Sequence, residues 1–184
     1  MNTHRTPFGA RNYEYFSEDG VLAGMIGASA VAGAMDQGVY SYIKHFALYE
    51  GNGKMVSVWS NEQAIREIYL KPFEISVKKG GANAVMVSWS FLGHRWTGEN
   101  SNLLNTVLRG EWGFRGMALT DFFRNNGHGF MNADAALANG VDAMLSTFDG
   151  PENNVADRSY PTSVKQMRNA CKKCHVYGGW KLGL

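Results

Sequence analysis

Runs of residues typical of β-strands alternate with runs typical of α-helices along most of this 184-residue chain. This alternation predicts an α/β fold in which parallel strands are joined by right-handed crossover helices. We count about five strand–helix units, including a partial unit at the N-terminus. A closed (β/α)8 barrel needs eight units and about 250 residues. The sequence therefore predicts either a small open parallel sheet or part of a barrel.

The predicted strands are short apolar runs, and the predicted helices carry stripes of apolar residues at helical spacing. We predict strands over residues 39–46, 84–90, 116–122 and 141–146. We predict helices over residues 17–36, 61–79, 100–111, 132–139 and 159–172. The stripe of the helix 100–111 consists of Leu103, Leu104, Val107 and Leu108.

The first two predicted helices contain further signals. Ser17 is the expected N-cap of the first helix and Asn61 that of the second, whereas Pro72 should kink the second helix. Small residues would allow the first helix to approach a sheet closely; they are Gly24, Gly27, Ala28 and Gly33. A separate apolar face of this helix consists of Leu22, Met25, Ile26 and Ala30.

Composition excludes several classes of protein. Apolar residues make up 45% of the chain and charged residues 18%, which argues against a disordered tail or a highly charged coiled coil. The formal net charge of +2 is too small to indicate nucleic acid or an anionic membrane surface as a partner. Apolar stretches are broken well before the roughly 20 residues that a membrane span requires. The two cysteines cannot form a disulfide framework.

Unusual side chains stand at the C-terminal ends of three predicted strands, where functional groups collect in parallel α/β folds. They are Lys44 and His45, Trp89, and Asp121 followed by Phe122. A carboxylate, a cation, an imidazole and an aromatic face around one pocket suit a neutral polyol such as a sugar. Other roles remain open, because Asp121 can cap a loop, Lys44 and His45 can form a solvated strand end, and Trp89 can belong to the core.

Seven ordered blocks of sequence are similar to one enzyme family. They are RNYEYFSED (11–19), KHFA (44–47), REIYLKPFE (66–74), AVM (84–86), LRGEWGF (108–114), TDF (120–122) and GVDAM (140–144). In this order and spacing they resemble glycoside hydrolase family 3, the β-glucosidase-like enzymes. The resemblance implies that residues 1–172 are an interior part of the family's catalytic barrel domain, a (β/α)8 barrel.

The resemblance also implies a reaction and its residues. The expected reaction is retaining hydrolysis that releases terminal, non-reducing β-D-glucosyl residues from a small carbohydrate or β-glycoside. Asp121 matches the family's nucleophile. The residues that match its sugar-binding positions are Arg11, Lys44 and His45. Trp89 stands where the family usually has Tyr, and Phe122 stands where it often has Trp, so both keep an aromatic wall. No metal or organic cofactor is implied.

A retaining glycosidase needs a second carboxyl group about 5–5.5 Å from the nucleophile, which acts first as acid and then as base. The resemblance implies that this group comes from a second domain, which normally follows the barrel in the same chain. It also implies that opening strands of the barrel precede Met1. On this hypothesis the chain is truncated, and we expect little or no turnover from it alone.

Residues 173–184 do not continue the resemblance. One hypothesis is a frameshift near residue 173, because removing one base from plausible codons restores a family-like sequence. The alternative is functional: Cys171, Cys174 and His175 form a C-x-x-C-H pattern, which is typical of c-type haem attachment with the histidine as axial ligand. That pattern predicts an electron-transfer protein.

Overall fold

The computed structural model describes residues 1–49, 56–122 and 130–145, which form two β-sheets. The strands are β1 (Tyr42–Phe46), β2 (Ser57–Val58), β3 (Ala84–Val87), β4 (Phe91–Leu92), β5 (Arg95–Trp96), β6 (Met117–Phe122) and β7 (Ala143–Leu145). The larger sheet has the order β1-β3-β6-β7, and all neighbouring strands in it are parallel. The smaller sheet has the order β2-β4-β5.

The predicted fold class is confirmed. Successive strands of the larger sheet are adjacent in space and helices connect them, as in part of a (β/α)8 barrel. Within the described residues the sheet has four strands and is open. The partial N-terminal unit has a helix but no assigned strand in residues 1–19. Its first residues run beside β1, since the Met1 amino group donates to Lys44 O at 2.6 Å.

Helices and tighter turns link the strands. They are α1 (Gly20–Asp36), α2 (Glu62–Ala64), a π-helix at Ile65–Tyr69, α3 (Lys71–Lys78), a π-helix at Asn102–Glu111 and α4 (Ala133–Asn139), with 3-10 turns at Asn12–Glu14 and Thr97–Glu99. The helices predicted over 100–111 and 132–139 lie within two residues of these bounds, and the predicted stripe of the former is buried. Within the described ranges, no helix has the length and apolarity to cross a membrane.

Helix α1 differs from its prediction in both its cap and its buried face. Asp19 is the N-cap instead of Ser17, because its carboxylate accepts a hydrogen bond from the Leu22 N–H at 2.7 Å. The apolar face around Leu22 is exposed, and the buried residues are Ala23, Gly24, Gly27, Ala28 and Val31. The cause is close packing on α3: a Cβ at Gly24 would lie 2.8 Å from Ile75 Cδ1. At Gly24, therefore, only glycine fits without a shift of the neighbouring helix.

The helix predicted over 61–79 is instead three segments. Asn61 caps α2 as predicted, accepting a hydrogen bond from the Ala64 N–H at 2.8 Å. The π-helix Ile65–Tyr69 then closes with a bond from the Leu70 N–H to Ile65 O, and the chain restarts as α3. Pro72 is the second residue of α3, where its missing N–H costs no helical hydrogen bond. The proline begins a helix and does not kink one.

The strands are shorter than predicted, and the small sheet was not predicted at all. Strand β1 begins at Tyr42 and leaves Val39 and Tyr40 exposed. Strand β3 ends at Val87, after which the chain turns into the hairpin β4–β5. The strands of the small sheet have two residues each, which is too short to show an alternating pattern.

Arg109 connects the π-helix Asn102–Glu111 to the two strands that follow it. Its guanidinium donates to Gly116 O at 3.1 Å, to Gly140 O at 3.2 Å and to Asp142 Oδ2 at 2.6 Å. The same carboxylate oxygen accepts a hydrogen bond from the Ala118 N–H at 2.7 Å. These bonds hold the start of β6 against the segment before β7, and so help to place Asp121 near the end of β6.

Several predictions concern residues outside the described ranges. These are the helix over 159–172, the domain boundary at residue 172, the frameshift in residues 173–184 and the haem pattern at Cys171, Cys174 and His175. They remain predictions.

Candidate active site

Asp121 and His45 meet at the C-terminal edge of the parallel sheet. His45 Nε2 lies 3.5 Å from Asp121 Oδ2, and the exposed fractions of the two side chains are 1% and 9%. Asp121 Oδ1 accepts a hydrogen bond from the Phe122 N–H at 2.6 Å. Asp121 Oδ2 is buried and has no hydrogen-bond partner among the described residues. One carboxylate oxygen is therefore fixed by the backbone, and the other is left for a further contact.

Burial controls the charge of both side chains. Burial raises the pKa of Asp121, although the Phe122 N–H and the positive charges of Arg11 and Lys44 work in the opposite direction. Burial, together with the charges of Arg11 and Lys44, lowers the pKa of His45 to about 3. His45 is therefore neutral at physiological pH, and its contact with Asp121 is not an ion pair under those conditions.

The backbone of His45 is held by Asn2. The Asn2 amide group donates to His45 O at 2.9 Å, and the His45 N–H donates to Asn2 Oδ1 at 2.7 Å. The peptide bonds Lys44–His45 and Phe46–Ala47 are both cis. The His45 ring lies 4.7 Å from the Tyr49 ring, measured between centroids, at an interplanar angle of 53°. Contacts with Asn2 and Tyr49 thus fix the position of the imidazole beside Asp121.

Glu14 joins the two predicted cationic residues, Arg11 and Lys44. Arg11 Nε lies 2.7 Å from Glu14 Oε1, and Arg11 Nη2 lies 2.8 Å from Oε2. Lys44 Nζ lies 3.3 Å from Glu14 Oε2. The guanidinium of Arg11 also lies over the Tyr49 ring, 5.3 Å from its centroid. The guanidinium of Arg11 is thereby held along one edge by Glu14 and on one face by Tyr49.

The aromatic residues Trp89 and Phe122 are also in contact. The Trp89 indole N–H donates to Phe122 O at 3.2 Å. The Trp89 ring meets the Tyr49 ring edge to face, with centroids 6.1 Å apart. Tyr49 consequently touches Arg11, His45 and Trp89. The six residues singled out from the sequence form one cluster, with Glu14 and Tyr49 as its connecting residues.

Sequence reasoning did not single out three members of this cluster: Asn2, Glu14 and Tyr49. A signal existed for Glu14, because a residue three positions after Arg11 returns to the same side of a 3-10 turn. No local signal existed for Tyr49 or Asn2. Their contacts with Arg11 and His45 join residues far apart in the chain and depend on the tertiary fold.

Two cavities lie away from this cluster. The larger, of about 440 Å³, is lined by residues at the N-terminal ends of β3 and β6, among them Asn83 and Gly116. The smaller, of about 230 Å³, lies beside α3 and is lined by Arg66, Glu74 and Glu111 among others. In the part of the chain that the structure describes, no three His, Cys, Asp or Glu side chains could hold a metal ion together.

Comparison with known families identifies the domain. The model of the "Glycosyl hydrolase family 3 N terminal domain" matches residues 2–170. The chain belongs to glycosyl hydrolase family 3. This confirms the predicted family, and the match to its N-terminal domain agrees with a partial barrel. All six candidate site residues lie within the matched range.

Relatives of this family 3 chain are much longer than the chain itself. A beta-glucosidase of Ruminococcus albus is 42% identical over 127 residues, which are 68% of this chain and 13% of that protein. The probable beta-glucosidase J of Emericella nidulans is 33% identical over 178 residues, or 94% of this chain and 20% of that protein. The structure of beta-glucosidase 3B from Thermotoga neapolitana in complex with glucose matches with a TM-score of 0.76 at 35% identity, covering 94% of this chain and 23% of that one.

The alternative of a c-type haem protein gains no support from these relatives, which are named as beta-glucosidases.

Proposed function

We propose that this family 3 domain carries the nucleophile and the sugar-binding residues of a retaining glycoside hydrolase that releases terminal, non-reducing β-D-glucosyl residues. The observation that carries the proposal is the Asp121 carboxylate. One of its oxygens is held by the Phe122 N–H, and the other is buried without a hydrogen-bond partner among the described residues. Such an oxygen is oriented and poorly solvated, which favours nucleophilic attack. The names of the relatives support glucose as the sugar.

The neighbours of Asp121 suit a neutral sugar. Arg11 and Lys44 offer charged N–H donors to hydroxyl groups. The neutral imidazole of His45 can both donate and accept a hydrogen bond. Trp89 and Phe122 offer apolar surface to the face of a sugar ring. We assign the binding of the glucosyl residue to these five side chains.

The proposed reaction proceeds in two steps. Asp121 Oδ2 attacks the anomeric carbon while the bond from that carbon to the glycosidic oxygen breaks; the departing oxygen takes the electron pair and a proton from a general acid. The product is a glucosyl ester of Asp121. Water, deprotonated by the same group acting as a base, then attacks the anomeric carbon and releases glucose and the Asp121 carboxylate.

A labelling experiment tests Asp121 independently of the general acid. The chain is incubated with 2,4-dinitrophenyl 2-deoxy-2-fluoro-β-D-glucopyranoside, whose phenolate leaves without protonation, while the fluorine slows hydrolysis of the ester. We expect one fluoroglucosyl group on the peptide containing Asp121 in the mass spectrum. Asp121→Asn should remain unlabelled, and Asp36→Asn, at an exposed position, should be labelled like the unmodified chain.

Two results would contradict the proposal: an unlabelled chain, or a label that persists in Asp121→Asn. The corresponding 2-fluoro-mannoside tests the sugar, since equal labelling by both reagents would contradict a preference for glucose.

A further inference from the structure

Glu14 lies between Arg11 and Lys44 and contacts both of them. These are the two cations among the residues proposed to bind the sugar, which together form the sugar-binding cluster. The two carboxylate oxygens of Glu14 take the paired hydrogen bonds from Arg11, and Oε2 also lies 3.3 Å from Lys44 Nζ. Glu14 lies in the 3-10 turn Asn12–Glu14, whereas Lys44 lies in β1. The carboxylate therefore ties a surface turn to a strand of the sheet.

The charge of Glu14 is maintained by its surroundings. Its side chain is 17% exposed, and burial by itself would raise its pKa. The hydrogen bond from Arg11 and the charges of Arg11 and Lys44 outweigh burial and lower the pKa of Glu14 to about 2. The carboxylate is thus ionised over the whole pH range in which the protein would work. Without it, Arg11 and Lys44 would face each other as two like charges.

The geometry also determines how Arg11 is presented. The paired bonds to Glu14 use one edge of the guanidinium, and the Tyr49 ring covers one face, 5.3 Å away. The guanidinium carries five N–H donors in a rigid plane, so fixing one edge also fixes the direction of the remaining donors. A paired carboxylate of this kind restricts the rotation of a long side chain before any ligand arrives.

We propose that Glu14 is a positioning residue of the sugar-binding cluster: it holds Arg11 and Lys44 in the single arrangement in which both can donate to hydroxyl groups of one sugar. The inference rests on the function proposed above and adds a residue to it. Glu14 acts through Arg11 and Lys44 and does not touch the reacting atoms. Its removal should weaken sugar binding even where the fold is retained.

The chain contains a matched control for the general effect of such a carboxylate. Glu74 also bridges two cations, with Lys71 and Lys78 each 2.7 Å away, and its side chain is 23% exposed. Glu74 lies on α3, outside the cluster around Asp121. Glu14→Gln and Glu74→Gln therefore remove the same charge from similar surroundings, and only the first change concerns the cluster.

The experiment is an NMR titration of the ¹⁵N-labelled chain with D-glucose, and with L-glucose to measure nonspecific effects. We expect Glu14→Gln to weaken D-glucose binding about tenfold, the loss typical of one hydrogen bond to a charged group. Glu14→Asp, which keeps the charge, should recover part of this loss, and Glu74→Gln should bind like the unmodified chain. The Arg11 Nε–H signal supplies a second readout, since its exchange with water should accelerate in Glu14→Gln alone.

The outcomes separate this inference from the proposed function. If the unmodified chain binds D-glucose and Glu14→Gln binds it equally well, the role of Glu14 is wrong and the proposed function stands. Equal weakening by Glu74→Gln would show a general effect of the lost charge and would also overturn the inference. If the unmodified chain neither binds D-glucose nor is labelled at Asp121, both proposals fail. If Glu14→Gln does not fold, Glu14→Asp provides the test. The proposed role is contradicted if Glu14→Asp binds D-glucose like the unmodified chain although its Arg11 Nε–H exchanges rapidly with water.

Discussion

The buried position of Asp121 disfavours ionisation of its carboxyl group. Burial raises its pKa despite the opposing effects of the Phe122 N–H, Arg11 and Lys44. A group whose pKa is higher in the folded state binds its proton more tightly there than in the unfolded chain. The contribution of Asp121 to stability is therefore present at low pH. It is lost as the pH rises from about 3.8, the unfolded value, through the pKa of the folded state.

We predict that Asp121→Asn raises the free energy of unfolding by about 1 kcal/mol at pH 7, the size of an ordinary stabilising substitution. The reason is that asparagine removes a buried charge and keeps an oxygen for the Phe122 N–H. At pH 3, where the carboxyl group is largely neutral in both states, the difference should become small. Urea unfolding of both proteins at the two pH values measures this effect.

The exposed Asp36 provides the control for this measurement, because Asp36→Asn should change stability by less than about 0.5 kcal/mol at either pH. A gain in Asp121→Asn of the same size at pH 3 and pH 7 would show that the buried charge is not its cause. A loss at pH 7 would contradict the prediction directly.

Single residues were predictable from the sequence to different extents. The proximity of Asp121, His45 and Lys44 could be predicted, because parallel strands bring their C-terminal ends to one edge of a sheet. Tyr49 could not, because its role depends on three ring contacts that only the tertiary fold creates. Glu14 stands in a motif that resembles the family, yet its function as a bridge required the distances to Arg11 and Lys44.

At the level of elements, the contact between α1 and α3 depends on glycine. A Cβ at Gly24 would lie 2.8 Å from Ile75 Cδ1 and 3.1 Å from Pro72 Cα, whereas a Cβ at Gly33 meets nothing within 4 Å. Glycine inside a helix costs about 0.5–1 kcal/mol relative to alanine. At Gly24 the missing side chain allows α1 and α3 to pack closely, which compensates for the lower helix propensity. At Gly33 no such contact compensates for it.

The same change at these two positions should therefore have opposite effects. We predict that Gly24→Ala lowers the free energy of unfolding by about 1–3 kcal/mol through overpacking. Gly33→Ala should raise it by about 0.5–1 kcal/mol through helix propensity. Thermal and urea unfolding of the two variants measure the difference. Stabilisation by Gly24→Ala would show that α1 and α3 can separate without loss, and the close-packing account of α1 would be wrong.

Helices were predicted well where a single apolar stripe is buried, as in Asn102–Glu111. The helix α1 was also predicted, but its most apolar face, around Leu22 and Ile26, is exposed, and its small residues approach α3 and not a sheet. Apolar periodicity identifies the most hydrophobic face of a helix, but a close contact between helices can bury the face with the smallest side chains instead. The break at Leu70 was missed for a different reason, since the apolar spacing continues across it.

At the scale of the whole molecule, the order of the four parallel strands follows from their order in the chain. A helix lies in each connection between successive strands. Connections that all turn the same way, as parallel strands favour, place every new strand beside the last. The alternation in the sequence was therefore sufficient to predict a parallel α/β sheet, whereas the choice of a partial barrel over a small open sheet came from the resemblance to the family. The exposure of apolar residues was not predictable in the same way, because the packing of the helices decides which apolar face of a helix remains exposed.

The exposed face of α1 should make the chain associate with itself. Val21, Leu22, Met25 and Ile26 are 54%, 52%, 43% and 40% exposed and lie next to one another on the helix. A continuous apolar patch of this kind favours association, whereas single exposed residues outside α1, such as Phe8 and Trp59, are common on protein surfaces.

We predict that the double variant Leu22→Gln/Ile26→Lys associates at least about tenfold more weakly than the unmodified chain, since it interrupts the patch and adds one positive charge. The matched control is Trp59→Gln/Phe8→Lys, which makes the same two kinds of change at exposed positions outside α1 and should leave association unchanged. Sedimentation equilibrium over a range of concentrations measures all three proteins. If the control weakens association as much as the α1 variant, the added charge is the cause; if neither variant does, the face of α1 is not where the chains meet.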